Sequence, residues 1–432
     1  MKRLLKDTSV QTVFCGGLYA SAASLFSSVL VQEGGCPFVF ILGDLEEAGY
    51  FYHDLTQILG EQEVFYFPSS FRRAVKFGQR DAANEILRTE VISRLSAGHR
   101  PLFVVTYPEA VMEKVVSRQK LDEQTLRLHA GERVDITFVE ETLRAFGFRR
   151  VDYVYEPGQF AVRGSILDVF SFSSEWPYRV DFFGDEVDSI RTFEVQTQLS
   201  RDKQEEIVIV PELAGYVQGK VPFTDFLPPE TVLVMKDLFF LRDVADRVYA
   251  DGFSAQALMD EQARTEMEEA ERHEKLRADL MLVDGAALMK GMLDFRRVEV
   301  GNKPSATPQA TVRFHLTAQP IFHKNFELVT RTFHEYLEKG YTLYILADSA
   351  KQTDRLASIF TEQASGIGFT PVNRTLHAGF ADDDLKACFF TDHQIFDRFH
   401  KYNLRSDKAR SGKVALSLKE LQEFNIGDYV VH

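Results

Sequence analysis

The order in which strand-like and helix-like runs follow one another constrains this chain more than any other feature. The runs TVFC (12–15), GCPFVFILGD (35–44), EVFYFP (63–68) and PLFVVTYP (101–108) are short and rich in β-branched and aromatic residues, and helical periodicity separates them. Strands that alternate with helices return to the sheet by crossovers, so they build a parallel sheet with helices on its faces. Such strands are covered on both sides and read as nearly continuous apolar runs, as these do. After the first strand, Ala22, Leu25, Phe26, Val29 and Leu30 recur at i, i+3, i+4, i+7 and i+8, which predicts a helix with these residues on its apolar face.

Between that strand and helix lies GGLYASAASL (16–25), a segment with the layout of a phosphate-binding loop. Such a loop needs glycines so that backbone N–H groups can curl around phosphates, a lysine for the outer phosphates and a hydroxyl for magnesium. With Gly17 on the first glycine, Ala22 takes the second glycine position, Ala23 takes the lysine position and Ser24 takes the hydroxyl position. The cation is missing and methyl groups stand where space is needed, so the segment reads as a degenerate, non-functional loop without useful affinity for ATP.

Three further regions follow. From about residue 125 to 210, alternating runs FAVRGSILDVF, YRVDFF and EVDSIRTFEV, broken by SFSSEWP and GD, predict an antiparallel meander in an α+β insert. TQLSRDKQEE (197–206) and PELAGYVQGKVPFTDFLPP (211–229) read as loop-rich boundary segments. A third region runs to about residue 310 and carries the charged stretch MDEQARTEMEEAERHEKLRADL (259–280), taken as a solvated helix face. A fourth begins near Val312 with the helix FELVTRTFHEYLEKG, the strand YTLYILAD and the helix SAKQTDRLASIF, another α/β unit. NIGDYVVH, at 425–432, reads as a strand with no turn after it, so a truncated chain is expected.

Charge and composition narrow the function classes. The net charge of −14 opposes broad, sequence-independent adhesion to DNA, which depends on Lys and Arg meeting phosphates. The arginines of FPSSFRRAVKFGQRD (67–81) could still form a local basic patch. No apolar run is long enough for a membrane span and the first residues lack a signal-peptide pattern, so the expected home is the cytoplasm. Cys15, Cys36 and Cys388 are scattered and odd in number, which suits reduced, buried thiols better than a disulfide framework or a zinc site.

The insert carries the most informative pattern. In PYRVDFF, alternation puts Tyr178, Val180 and Phe182 on one apolar face and leaves Arg179, Asp181 and Phe183 on the other. A large aromatic beside an arginine on a polar face is the composition of a protein-interface anchor, unless a neighbouring helix or loop covers it. Arg163 precedes Gly164, where a bend would scramble the alternation, so periodicity does not place it. Other candidates are weaker. His393 and His400 in DHQIFDRFHKY would share one face of a helix without being close enough to share a metal easily. GFADDDLKA lacks calcium-loop spacing and reads as a loop leading into a helix. No nucleophile or metalloprotease motif occurs, so neither a catalytic residue nor a metal site is expected.

The stretches EPGQFAVRGSILDVF, PYRVDFFGDEVDSIRTFEVQTQ and IVIVPE resemble the insert domain shared by the excision-repair protein UvrB and the transcription-repair coupling factors. UvrB keeps an intact phosphate-binding loop and an aromatic-rich DNA hairpin. Here the loop lacks its lysine and residues 67–81 lack the tyrosine cluster, departures that resemble the coupling factors. The resemblance implies an α/β multidomain fold. It comprises a RecA-like parallel domain 1a with the degenerate loop (1–124), a UvrB domain 2-like UvrA-binding domain of α+β type (125–210) and domain 1b completing the UvrB-like module (211–311). A family-specific α/β domain (312–400) follows, then a linker and the first strand of an RNA polymerase-interacting domain (401–432).

It further implies a recruiter of UvrA to stalled transcription complexes, with UvrA contacts at the positions of Arg163, Arg179 and Phe183. No cofactor is expected in this chain. ATP and magnesium would serve the parent's translocase motor, and RNA polymerase and duplex DNA would meet other parts of the parent. On this reading Arg179→Glu should weaken UvrA binding and barely affect folding. Two rivals stand against it: a UvrB-type helicase fragment, and a DNA-binding module in its own right.

Overall fold

The computed structural model describes residues 3, 4, 7, 9–31, 35–70, 82–98, 102–213, 219–251, 282–362, 366–400 and 402. Arg72 and the rest of 71–81, the acidic stretch 259–280 and NIGDYVVH lie outside the described residues.

The chain begins with β1 (Thr12–Gly16), α1 (Ala22–Val31), β2 (Phe38–Ile41), α2 (Leu45–Leu59), β3 (Val64–Tyr66), α3 (Ala82–Ala97) and β4 (Phe103–Thr106). An insert follows: β5 (Leu126–His129), α4 (Ile136–Ala145), β6 (Arg149–Arg150), β7 (Gln159–Arg163), β8 (Ile166–Val169), β9 (Tyr178–Phe183), β10 (Glu186–Phe193), β11 (Ser200–Gln204) and β12 (Glu206–Ile209). The chain then returns through β13 (Val232–Met235), α5 (Leu238–Asp251), α6 (Gly285–Leu293), β14 (Arg296–Gly301) and β15 (Ala310–Arg313).

Four strands from before the insert and three from after it form one parallel sheet, ordered β15-β1-β14-β13-β2-β4-β3. Phe38–Ile41 and Phe103–Thr106 are buried at every position, as expected of strands with helices on both faces. Asp44 caps α2 by accepting the Glu47 N–H, and Asp284 caps α6 through Ala287. The expected boundary at 311/312 falls inside β15, so the sheet continues across it.

The insert is a six-stranded meander, β11-β10-β9-β8-β7-β6, antiparallel except at the β6–β7 edge, with β5 and β12 paired separately. Its core joins Val139 and Leu143 of α4 to Phe160, Leu167, Val169, Val180, Phe182, Val187 and Ile190 from one face of the meander. The expected boundary loop at 197–206 is corrected: Ser200–Gln204 forms the edge strand of this sheet, exposed and charged, which is why its sequence reads as loop.

The last unit holds β16 (Leu316–Ala318), α7 (Phe326–Glu338), β17 (Thr342–Leu346), α8 (Ala350–Glu362), β18 (Thr370–Val372), β19 (Phe380–Asp382) and β20 (Ala387–Thr391). They build a mixed sheet ordered β16-β19-β20-β17-β18 around Phe322, Val329, Phe333, Leu356, Phe360 and Phe390. GFADDDLKA is the turn of the β19–β20 hairpin rather than the approach to a helix. Asp382 takes the N–H groups of Asp384 and Leu385 and closes that turn locally.

Candidate functional site: the remnant loop and the insert face

The remnant loop is filled by the chain itself. Gly17 has φ +83°, and a Cβ there would lie 2.3 Å from the Phe314 carbonyl oxygen. The Ser21 N–H donates to Ala378 O at 3.2 Å, and the Ala378 N–H returns a bond to Ser21 Oγ at 2.9 Å. Thus the last α/β unit bonds at the N-terminus of α1, where phosphates bind in an active loop. Ala22 is buried and Ala23 half-buried, while Ser24 is buried with its hydroxyl donating to Asp54 Oδ2 at 3.3 Å. The other Asp54 oxygen accepts the His377 N–H at 2.7 Å. Burial pushes the Asp54 carboxyl up to about 7, against the hydrogen bonds from Ser21, His377 and Ser24. These residues are a poor match to a nucleotide site: the lysine is absent, and the Ser21 N–H and Ser24 hydroxyl already have partners in the chain.

The buried side of α1 also differs from the apolar stripe of its sequence. Ser24, Ser27 and Ser28 are buried, whereas Val29 is 47% exposed. The Ser24 hydroxyl is met by Asp54 of α2 and the Ser28 hydroxyl by Leu25 O of its own helix, so these serines are buried with their hydroxyls satisfied.

His393 and His400 do not share a helix: α9 (Asp392–Ile395) ends between them. Their rings stack at 4.4 Å between centroids, beside His53 of α2 at 5.2 Å from His400. Tyr50 stacks on His377 at 3.5 Å, and His393 Nε2 lies 2.9 Å from His377 O. Desolvation lowers the basicity of all four histidines, His377 and His393 down to about 4. Among the described residues no three His, Cys, Asp or Glu side chains are placed to hold a metal ion.

On the insert, Val180 and Phe182 enter the core, and Arg179, Asp181 and Phe183 occupy the opposite face. Phe183 is 83% exposed, so neither a helix nor a loop covers it. Gly164, at φ +62°, turns β7 into β8 as a hairpin, which returns Arg163 to the same face. Asp168 of β8 lies opposite Arg179 of β9 and receives it bidentately, Nε at 2.7 Å and Nη2 at 2.9 Å. Arg163 Nη2 binds the same carboxylate, and its Nη1 donates to Asp152 O at 2.8 Å. The hydrogen bonds to Asp168 raise the Arg179 basicity further. Beyond them, Arg191 pairs with Asp181. Tyr153, Tyr155 and Leu199 are exposed in the segments that flank this group.

Sequence reasoning missed Asp168, although one signal was present. In ILDV a carboxylate interrupts an apolar strand at the alternation phase of the polar face. It also missed Asp54 and His377, whose bond to each other spans 323 residues and leaves no local trace.

Residues 126–214 match the family model described as UvrB interaction domain, and this segment contains Arg163, Asp168, Arg179 and Phe183. Along 96% of its length the chain is 22% identical to the transcription-repair-coupling factor of Bacillus subtilis (strain 168), of which the match covers 40%. The transcription-repair-coupling factor of Staphylococcus aureus (strain bovine RF122 / ET3-1) is also 22% identical over 96% of the chain and 41% of the relative. The chain thus spans about two fifths of the length of these relatives, and the resemblance read from the insert strands extends over nearly all of it. Among the described residues no helix is long and apolar enough to cross a membrane.

Proposed function

We propose that this chain is the UvrB-like module of a transcription-repair coupling factor, recruiting UvrA to stalled transcription complexes in transcription-coupled nucleotide excision repair. The observation that carries this reading is Phe183, which stands 83% exposed on the non-core face of the insert sheet, on the strand that also carries Arg179. Exposing a phenylalanine to water brings no benefit to folding, whereas aromatic and arginine residues supply the anchors of protein interfaces. Arg163, Arg179 and Phe183 form the proposed UvrA contact.

This chain has no catalytic role in the proposal. Gly17, Ala22, Ala23 and Ser24 persist as scaffold, supported by the Ser21–Ala378 and Ser24–Asp54 bonds that use the loop's own donors. The parent is an ATP-dependent DNA translocase that displaces stalled RNA polymerase in the cytoplasm. Its ATP, magnesium, duplex DNA and RNA polymerase sites lie in segments outside this chain. Within the chain, 1–124 is the RecA-like domain 1a, 125–210 the UvrA-binding insert, and 211–311, continued by β15 to Arg313, domain 1b completing the UvrB-like module; the family-specific unit follows to 400, and 401–432 are the linker and first strand of the polymerase-interacting domain.

A titration of UvrA with the intact chain and with Phe183→Ala tests the proposal. Saturable binding, weakened in the variant at unchanged melting temperature, supports it. Absence of binding by the intact chain overturns it, as would ATP hydrolysis by the chain with or without DNA.

A further inference from the structure

The two arginines of the insert face share one carboxylate, and they share it unequally. Asp168 has no exposed surface, while the Arg163 side chain is 35% exposed and that of Arg179 is 15% exposed. A guanidinium has five N–H donors. Arg179 spends three of them, two on Asp168 and one on Gln198 O at 3.1 Å, and its guanidinium carbon lies 4.5 Å from the centre of the Phe193 ring. Arg163 spends two, one on Asp168 and one on Asp152 O, and it sits 5.0 Å from the Tyr153 ring toward solvent. Two cations and one anion leave this group with a net charge of +1, and the neighbouring Arg191–Asp181 pair adds none.

We propose that Asp168 is the positioning residue of this face. It fuses two guanidiniums from different strands into one group of charge +1 that receives a single carboxylate of the partner through Arg163. Arg179, with three donors already spent within the face, contributes to the contact through Asp168. This rests on the reading that the face binds UvrA, and it deepens that reading by stating the ligand chemistry: one acidic side chain taken beside an apolar anchor. The shared carboxylate also aims Arg163. A free arginine on a strand samples many rotamers, whereas one held at two N–H groups keeps its remaining donors in a fixed fork.

The test is a double-mutant cycle on the full chain with UvrA as the probe, using Asp168→Asn, Arg163→Ala and the pair, with melting temperatures recorded. Asp168→Asn and Arg163→Ala should each weaken binding about tenfold or more, and the pair should be no weaker than Arg163→Ala alone. Additive losses, or wild-type binding by Asp168→Asn, would overturn the inference while leaving UvrA recruitment intact. If the unmodified chain binds no UvrA, the recruitment reading falls and the partner carboxylate falls with it.

A second readout needs no partner. Arginine-selective labelling with phenylglyoxal, read by mass spectrometry, should modify Arg163 several-fold faster in Asp168→Asn than in the parent, because the fork is released. Unchanged labelling rejects the positioning role. If Asp168→Asn does not fold, Arg163→Lys replaces it, since it keeps the charge and leaves the Asp168–Arg179 pair whole. A point charge cannot serve Asp168, Asp152 O and a partner carboxylate together, so binding should fall about tenfold; undiminished binding overturns the proposal.

Discussion

The remnant loop and the insert face began from comparable materials, a strand end with polar groups and small or aromatic residues, and they reached opposite conditions. At the loop, Ser21 and Ser24 give their hydrogen bonds to Ala378 and Asp54 of the same chain, and the Gly17 backbone lies against Phe314 O. On the insert face the core side is closed by Val180, Phe182 and Ile190, while Phe183 and part of Arg163 remain in water. Buried polar groups without partners are costly, so the inward-turned groups of this loop are stable only because other residues satisfy them. Exposed cations carry no such penalty, and a face can keep them free for a partner.

The largest expected effect separates charge that presents from charge that holds. Arg179→Glu should cost about 3 to 5 kcal/mol of stability, because it removes the bidentate one of two arginine partners of a fully buried carboxylate and adds a second anion beside it. Chemical denaturation measures this. The bidentate pair to a buried carboxylate argues against the expectation that reversal at Arg179 barely affects folding; a fold as stable as the parent would show that the Asp168 clamp is not structural. Charge reversal there would confound a binding test, which is why Phe183 and Arg163 carry those tests.

Next in size, Gly17→Ala should destabilise by about 2 kcal/mol, since it combines a positive φ with a Cβ in contact with the Phe314 carbonyl. If denaturation shows no loss, the loop is less tightly closed than the insert face comparison requires. The same comparison is sharpened by Ala22→Gly with Ala23→Lys, which restores the glycine and the lysine. No saturable binding of a fluorescent ATP analogue should appear, because Ser21 N–H still belongs to Ala378.

On the open side, Phe183→Ala should weaken UvrA binding by about 2 kcal/mol. Its stability should stay within about 0.5 kcal/mol of the parent, as for other surface changes. A melting temperature lowered as by a core truncation would remove the contrast between the two regions.

The smallest effect concerns acid. His377 and His393 have basicities near 4 where they pack, below the ordinary value of 6.5, and His53 and His400 shift in the same direction. Their contribution to stability is present above pH 6.5 and is lost as pH falls from there toward 4. Asp54 opposes them: at about 7 it is raised, so it holds an extra proton in the fold between its ordinary 3.8 and 7. Asp392, which is also raised and is paired with Arg398, acts in the same opposing direction. The histidines outnumber these carboxylates, and stability should fall on the order of 1 kcal/mol per pH unit between 6.5 and 5. Asp54→Asn removes one opposing proton and should steepen that fall; melting curves across this range decide it.

Much of the architecture was legible because it depends on local period. Alternating strands and helices specify a parallel sheet, and a period of two in PYRVDFF separates Val180 and Phe182 from Arg179 and Phe183 without any knowledge of neighbours. The missing lysine at Ala23 was equally plain. Local period failed where docking between elements decided burial or pairing. It made Val29 an inside residue of α1 and left Ser24, Ser27 and Ser28 unexplained, and it made Ser200–Gln204 a loop because an edge strand can be charged throughout.

By itself the sequence determined which residues share a face in strands such as PYRVDFF, where the insert interrupts the sheet, and that residues 16–25 carry no lysine. The tertiary structure alone decided that Asp168 serves two arginines, that Ala378 binds at the start of α1, and that histidines at 53, 377, 393 and 400 meet. The reason is physical. Side-chain direction within an element follows from backbone geometry repeated every two or 3.6 residues, whereas contacts between elements depend on how their surfaces dock, which no single segment encodes.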